Sequence, residues 1–264
     1  MNNLNVTVVD RMALIGLNRG KSNAINLSML QELGTLLKSI ENDDDILGII
    51  LHGKERFFSS GLDLIELYEL NEEQIREFWR TFLELVGALV SFKKPSIAAI
   101  SGHSPAGGCV LAICCDYRIM VEGDYIIGLN EIPVGLIVPD GIFHLYSFWI
   151  GQAHAYRYLL EGKLMNPAEA LAVGLVDEVV PVEKLRSRAE KQLKSYIQLE
   201  PNTWQQSKLN MRRNLIQQMK NVPDELMDEI VRQWWAPSTR SILKTIIENL
   251  TQKKTHGNES RSTS

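Results

Sequence analysis

The chain has 264 residues and a formal net charge of −4, and 45% of its residues are hydrophobic. This composition is typical of a globular protein that is large enough to bury a sizeable core. The slight acidity gives no basic surface for nucleic acid or an anionic membrane, so we expect neither as a partner. No apolar run reaches the roughly 18 residues that a membrane helix requires.

The N-terminal half alternates between strand and helix patterns. Residues 5–9 and 12–17 predict a hairpin that turns near Asp10. Apolar residues then recur at helical spacing from Met29 to Ile40, and Ser28 with Gln31 predicts a capping box. This alternation continues and predicts an α/β fold. The later strands are expected at residues 47–51, 96–100 and 117–120, and the helices at about 62–92 and 105–115.

The C-terminal part is predominantly helical. One more short strand is predicted at 174–180, and helices follow from 181 to 250 with breaks at Pro201 and Pro223. These helices carry more apolar surface than a lone helical arm would expose. We therefore expect them to pack on the main body or on a neighbouring subunit.

Three cysteines, Cys109, Cys114 and Cys115, lie in one apolar stretch without a histidine cluster. The pattern indicates buried thiols in a reducing compartment and argues against disulfides and against a metal site. Residues 1–10 begin polar and then alternate, which indicates a first strand rather than a targeting segment. We expect a bacterial cytoplasmic protein, with a processed mitochondrial matrix form as the alternative.

The segment at residues 101–109, SGHSPAGGC, links an apolar strand to an apolar helix. With Ser104 as N-cap and Pro105 as the first helical residue, Gly107 lies in the first turn, where N–H groups have no intrahelical partner. Such an N–H at a positive helix end suits an oxyanion. The alternative is that small residues are needed for close packing of the helix on a strand.

Two more segments contain candidate functional groups. Residues 56–64, RFFSSGLDL, predict a tight turn with exposed N–H groups, and the alternative is a simple capping turn. A polarised thioester carbonyl needs two donors from different segments. Glu131 lies in a strongly apolar stretch, where desolvation would raise its pKa and favour proton transfer. The alternative is a surface glutamate at a strand end.

The three segments, in this order and spacing, resemble the enoyl-CoA hydratase/isomerase (crotonase) family. Further matches lie at residues 18–26, 94–100, 115–119 and 170–177, so the resemblance covers about residues 5–250. It implies a spiral of ββα units with two nearly perpendicular sheets, followed by a helical trimerisation region. On this basis the chain divides into a core at 1–195, a trimerisation region at 196–252 and a disordered tail at 253–264.

The resemblance also implies the site and its partners. The N–H groups of Ser60 and Gly107 would form the oxyanion hole, and Glu131 would move the proton. The acyl-CoA thioester substrate would contact Gly107 and Asn130 and the run formed by Ser60, Gly61, Leu62, Asp63 and Leu64. Coenzyme A is part of this substrate, so no cofactor is expected, and the assembly would be a homotrimer or a dimer of trimers.

Val110 departs from the family's hydratases, which have a first catalytic glutamate at this position. Loss of one of two acid–base groups is expected to slow hydration roughly 100- to 10,000-fold. The pattern instead resembles the mitochondrial type of 3,2-trans-enoyl-CoA isomerase, an enzyme of fatty acid β-oxidation. Open alternatives are a dienoyl-CoA isomerase, a decarboxylase, a weak hydratase and a non-catalytic acyl-CoA-binding scaffold. Asp140 is interpreted as a helix N-cap and His103 as a loop histidine, although either could face the pocket.

Overall fold

Two β-sheets of unequal size organise the fold. In the computed structural model, which describes residues 2–220 and 222–259, one sheet has six strands and the other has four. The large sheet has the spatial order β1 (Leu4–Val9), β2 (Met12–Leu17), β3 (Gly48–His52), β5 (Ser96–Ile100), β7 (Tyr117–Val121) and β10 (Glu178–Val180). The small sheet has the order β4 (Arg56–Phe57), β6 (Gly102–Pro105), β8 (Ile127–Gly128) and β9 (Leu164–Met165).

Twelve helices in the described part of the chain cover these sheets. They are α1 (Leu27–Glu41), α2 (Leu64–Tyr68), α3 (Glu72–Val90), α4 (Gly107–Cys114), α5 (Asp140–Ile150), α6 (Gln152–Glu161), α7 (Pro167–Ala172), α8 (Leu185–Ile197), α9 (Pro201–Met211), α10 (Arg213–Lys220), α11 (Asp224–Trp234) and α12 (Pro237–Glu259). None of the described helices is both long and apolar enough to cross a membrane.

The chain winds through these elements in ββα units, which confirms the predicted α/β spiral. In three successive units the first strand (β3, β5, β7) joins the large sheet and the second strand (β4, β6, β8) joins the small one. Within each sheet these strands pair in parallel. Parallel neighbours end at the same edge of a sheet, so the loops after β4, β6 and β8 leave the small sheet side by side.

The predicted hairpin at the start of the chain is confirmed. β1 and β2 pair antiparallel, with Val9 opposite Met12. Asp10 and Arg11 between them both have positive φ, at 50° and 63°. Positive φ at both central residues is the requirement of a type I′ turn, whose twist matches that of the strands.

The N-cap of α1 differs from the prediction. Asn26, not Ser28, precedes the helix, and its side chain accepts a hydrogen bond from the Met29 N–H at 3.0 Å. The hydroxyl of Ser28 instead accepts from the Asn3 side chain at 3.0 Å. The predicted capping box is therefore wrong, because the helix begins at Leu27, two residues before the apolar pattern starts at Met29.

The start of α4 is also corrected. Ser104 and Pro105 belong to β6 and are paired with Ile127 and Gly128 of β8, so neither caps the helix. The helix begins at Gly107 after Ala106, which has φ 48° and ψ −124°. A non-glycine residue in this region is strained, and such strain persists only where the surrounding structure enforces it. Here the Ala106 N–H donates to the Gly128 carbonyl at 2.8 Å.

The C-terminal helices are part of the same packed body. α8 buries Leu185, Ala189 and Leu193 on one face of the large sheet. It runs through residues 195 and 196, so the predicted domain boundary at that point falls inside a helix. α12 continues to Glu259, so residues 253–259 are helical rather than a disordered tail, and the rest of that predicted tail lies outside the described residues.

Two buried cationic side chains connect the C-terminal helices to the C-terminal end of α4. Arg212 donates to the carbonyls of Cys114 and Cys115, at 2.9 and 3.2 Å. The Lys208 ammonium lies 2.7 Å from the carboxylate of Asp116. Lys208 and Arg212 are both buried. Cationic groups at the C-terminal end of a helix complement its dipole, so this contact stabilises α4.

Asn26→Ala should destabilise the fold by about 1–2 kcal/mol, because it removes the α1 cap. Ser28→Ala should cost distinctly less, since Ser28 caps nothing. Urea denaturation of both variants measures the difference. Equal losses in the two variants would contradict the cap assignment.

Candidate active site

Three segments meet at one edge of the small sheet. The loop 58–63 follows β4, Ala106 and Gly107 follow β6, and Glu131 lies three residues beyond the end of β8. Strand pairing aligns the ends of these strands: Phe57 of β4 lies opposite His103 of β6, and Pro105 of β6 lies opposite Gly128 of β8. The parallel sheet therefore brings together the three motifs that the sequence analysis singled out.

Hydrogen bonds to residues 22–25 hold the loop 58–63 in place. The Ser59 hydroxyl donates to the Asn23 carbonyl at 2.8 Å and accepts from the Gly61 N–H at 3.2 Å. The Ser60 N–H donates to the Ser22 carbonyl at 2.8 Å. The structure thus corrects the assignment of Ser60 to the oxyanion hole, because its N–H already has a partner.

The Leu62 N–H is the available donor of this loop. The flanking Gly61 carbonyl accepts from the Ile25 N–H, and the Asp63 N–H donates to the Ile25 carbonyl, both at 2.8 Å. Backbone groups alternate in direction along an extended segment, so the Leu62 N–H faces away from Ile25. Within residues 2–220 and 222–259 it has no hydrogen-bond partner.

The Gly107 N–H lies close to this loop. Gly107 is the first residue of α4, and its N–H has no partner in the described part of the chain. Gly61 has φ +85°, and a Cβ atom there would lie 3.4 Å from the Gly107 nitrogen and 3.2 Å from the Ala106 Cβ. Glycine at position 61 thus permits both the backbone conformation and the close approach of the two donor segments.

Glu131 is the candidate proton-transfer group at this edge. It precedes a short 3₁₀ turn, Ile132–Val134, and its Oε2 atom is buried without a hydrogen-bond partner among the described residues. Burial raises the pKa of Glu131 from its ordinary value of 4.5 to about 7. A carboxyl group with this pKa can both accept and return a proton near neutral pH.

The surroundings of Glu131 are apolar or neutral. Val110 is 2% exposed and contributes no acid or base. The Cys109 thiol is buried, and its pKa is raised first by burial and second by the negative charge of Glu131. Asn130 has a buried side-chain oxygen without a partner in the described residues, which is compatible with the predicted contact to a substrate. Burial likewise raises the pKa of Tyr146, with smaller contributions from Cys109 and Glu131.

Two other predicted contact residues lie beside the donors. Leu64 is the first residue of α2 and is half-buried. Asp63 caps α2 by accepting from the Glu66 N–H at 3.1 Å, and it pairs with Arg19 at 2.5 Å. The Asp63 carboxylate is therefore engaged in structural contacts, while Leu64 remains a predicted substrate contact.

The remaining candidates have structural contacts. His103 lies in β6 with its ring between Phe57 and Tyr125, each 5.1 Å away, and burial lowers its pKa. Asp140 is the first residue of α5 rather than its N-cap, and its side chain is exposed. No cluster of three or more metal-ligating side chains occurs among the described residues, and all three cysteines are buried and free.

Comparison with known proteins shows the family of this chain. The model of the enoyl-CoA hydratase/isomerase family matches residues 9–229. The chain belongs to this family. Mitochondrial enoyl-CoA delta isomerase 1 of Mus musculus is 37% identical over 249 residues, which cover 92% of this chain and 85% of the mouse protein. The corresponding Rattus norvegicus protein is 39% identical over 238 residues, covering 88% and 81%.

A solved structure agrees with this family assignment. Human mitochondrial delta3-delta2-enoyl-CoA isomerase superposes with a TM-score of 0.92 at 32% identity, covering 96% of this chain and 99% of the human one. The predicted resemblance to the family and to its mitochondrial-type isomerases is thereby confirmed.

Glu131→Gln should stabilise the protein at alkaline pH. Because the pKa of Glu131 is raised on folding, the native state binds this proton more tightly than the unfolded chain does. The wild type therefore loses stability relative to the variant as pH rises from 4.5 to about 7, by about 3 kcal/mol in total.

Urea denaturation at pH 5 and pH 8 tests this difference, with the exposed Glu122→Gln as the matched control. A difference between wild type and Glu131→Gln that does not grow with pH would contradict the burial of an ionisable Glu131.

Proposed function

We propose that the protein is a 3,2-trans-enoyl-CoA isomerase, which moves the double bond of a 3-enoyl-CoA to the 2-trans position. The observation that carries the proposal is a carboxylate with a buried oxygen and a raised pKa, Glu131, combined with an apolar Val110 in an acyl-CoA family. The isomerase names of the mouse and human relatives support the same reaction.

The thioester oxygen would be held by the N–H groups of Leu62 and Gly107. Both donors lack partners among the described residues, and they come from segments that touch at Gly61. Donors fixed in advance stabilise the negative charge that develops as the substrate becomes a dienolate. The strained backbone at Ala106, directly before Gly107, supports this role, because such strain is concentrated at functional sites.

Glu131 would move the proton between two carbons of the substrate. As a carboxylate it removes a proton from carbon 2, and the electron pair moves into the dienolate. The protonated Glu131 then returns the proton to carbon 4, and the double bond lies between carbons 2 and 3. A pKa of about 7 suits both half-reactions, because neither protonation state of the carboxyl group is then strongly favoured at neutral pH.

A hydratase is the second candidate, since the family includes both activities. Adding water needs a base for the water and an acid for carbon 2 in one active site. Val110 occupies the position of the first of the two catalytic glutamates in the family's hydratases and has no titratable atom. We therefore expect hydration to be much slower than isomerisation.

The assembly and location are further parts of the proposal. We propose a homotrimer or a dimer of trimers from the family resemblance, and apolar side chains left on the surface by α9 and α5, such as Met211, 73% exposed, and Phe148, support a subunit interface. No cofactor beyond the coenzyme A of the substrate is needed by this chemistry. The bacterial cytoplasm stays a prediction.

The activity is tested with 3-hexenoyl-CoA by following the formation of 2-hexenoyl-CoA. The wild type should turn over, Glu131→Gln should lose roughly 100-fold or more in kcat, and Glu122→Gln should match the wild type. The wild-type kcat/KM should rise with pH through a midpoint near 7, because the base form of Glu131 is required.

Two results would contradict the isomerase proposal. One is a wild type and a Glu131→Gln variant that are equally inactive while acyl-CoA still binds. The other is hydration of 2-hexenoyl-CoA at a rate near that of isomerisation. Equal activity in wild type and variant would show that another group is the base.

The donor assignment is tested by amide-to-ester substitution, in which an α-hydroxy acid replaces one residue during translation. An ester at Leu62 deletes the proposed oxyanion donor and should lower kcat by roughly 100- to 1,000-fold. An ester at Ser60 deletes the bond to Ser22 instead, so it should reduce stability by about 1 kcal/mol with a much smaller effect on kcat. The reverse order of effects on kcat would restore Ser60 as the donor.

A further inference from the structure

The end of the chain reaches the turn that carries Glu131. Thr239, near the start of α12, donates its hydroxyl to the Gly135 carbonyl at 2.9 Å. The Gln233 side chain, at the end of α11, donates to the same carbonyl at 3.3 Å and to the Thr239 hydroxyl oxygen at 2.8 Å. Thr239 is 0% exposed, so these bonds are shielded from water.

Gly135 and Glu131 are parts of one tight turn. The Glu131 carbonyl accepts from the N–H groups of Val134 and Leu136, at 3.1 and 3.0 Å. The Gly135 N–H donates to the Ile132 carbonyl at 2.9 Å, and Gly135 has φ +81°. A displacement of Gly135 would therefore be transmitted to the backbone of Glu131 through this ring of bonds.

α12 lies directly against the turn. A Cβ atom at Gly135 would lie only 3.0 Å from the Thr239 hydroxyl oxygen and 3.3 Å from the Thr239 Cα atom. The left-handed backbone of Gly135 and its close approach to α12 thus both require glycine. Interiors this tightly packed transmit small displacements rather than absorb them.

The same part of α12 also contacts α2. The Arg240 guanidinium lies 3.4 Å from the centre of the Tyr68 ring and donates to the Tyr68 carbonyl at 3.0 Å. Tyr68 ends α2, the helix that begins two residues after Leu62. One helix thus contacts the segment that follows the proposed oxyanion donor and the segment that follows the proposed base.

We propose that Thr239 is a positioning residue for proton transfer, whose hydroxyl holds the Gly135 carbonyl and thereby fixes where the Glu131 carboxylate stands. The proposal rests on the function proposed above. One carboxylate must reach both carbon 2 and carbon 4 of the substrate, so its placement is constrained from two directions. A misplacement of about 1 Å can cost a reaction on the order of 100-fold.

The test compares Thr239→Val, which keeps the shape and removes the hydroxyl, with Thr239→Ser, which keeps the hydroxyl. Thr239→Val should lower kcat for 3-hexenoyl-CoA by about tenfold to 100-fold with little change in KM, and Thr239→Ser should restore most of it. Thr245→Val is the matched control, since Thr245 lies exposed on the same helix and its hydroxyl donates to the Ser241 carbonyl of that helix.

A second variant keeps the test valid if Thr239→Val fails to fold. Gln233→Leu removes the other donor to Gly135 at a half-buried site and should lower kcat in the same direction. A thermal melting curve for every variant shows whether the variant is folded at the assay temperature.

A folded Thr239→Val or Gln233→Leu variant with wild-type kcat would overturn the positioning role. So would a rise in KM alone, or a loss in Thr239→Val that Thr239→Ser does not reverse. The proposed function fails separately, through inactivity of the wild type or retained activity of Glu131→Gln.

Discussion

The parallel pairing of three very short strands is the constraint on which the site depends. β4, β6 and β8 contribute two to four residues each, yet their register sets where three loops leave the sheet. Their pairing continues beyond the strands, since Phe58 donates to the His103 carbonyl and Ala106 to the Gly128 carbonyl. Backbone hydrogen bonds therefore fix where these three loops leave the sheet relative to one another.

Desolvation sets the pKa of Glu131. In water the carboxylate would be too weak a base, and its acid form would be scarce at neutral pH. Burial among apolar residues brings its pKa to about 7, and the cost is stability at alkaline pH. Val110 completes this environment, because a second carboxylate there would add an acid–base group able to activate water.

Much of this arrangement follows from the sequence. The hairpin at Asp10, the alternation of strands and helices, and Gly107 in the first turn of a helix are all readable from local patterns. Glu131 is visible as a charge in an apolar stretch. The division of the strands between two sheets is not visible, since strands as short as β4 and β8 carry no periodicity.

The errors share one physical cause. Ser104 and Pro105 have good capping chemistry, but tertiary pairing with β8 draws them into a strand. Ser60 lies in the expected turn, yet the direction of its N–H depends on a contact with Ser22 that is 38 residues away. The pairing of Ile25 with Leu62, which leaves the Leu62 N–H available, is equally non-local. Local patterns therefore identify the segments of the site, whereas long-range hydrogen bonds determine which of their backbone N–H groups are available.

The most direct test of the single-carboxylate account follows one hydrogen atom. 3-Hexenoyl-CoA carrying two deuterium atoms on carbon 2 is converted in ordinary water, and the 2-hexenoyl-CoA product is analysed by mass spectrometry. Because the Oε2 atom of Glu131 is buried, the account predicts product that retains both deuterium atoms, one of them now on carbon 4. Product from an active wild type that carries one deuterium only, at the shortest reaction times, would contradict it.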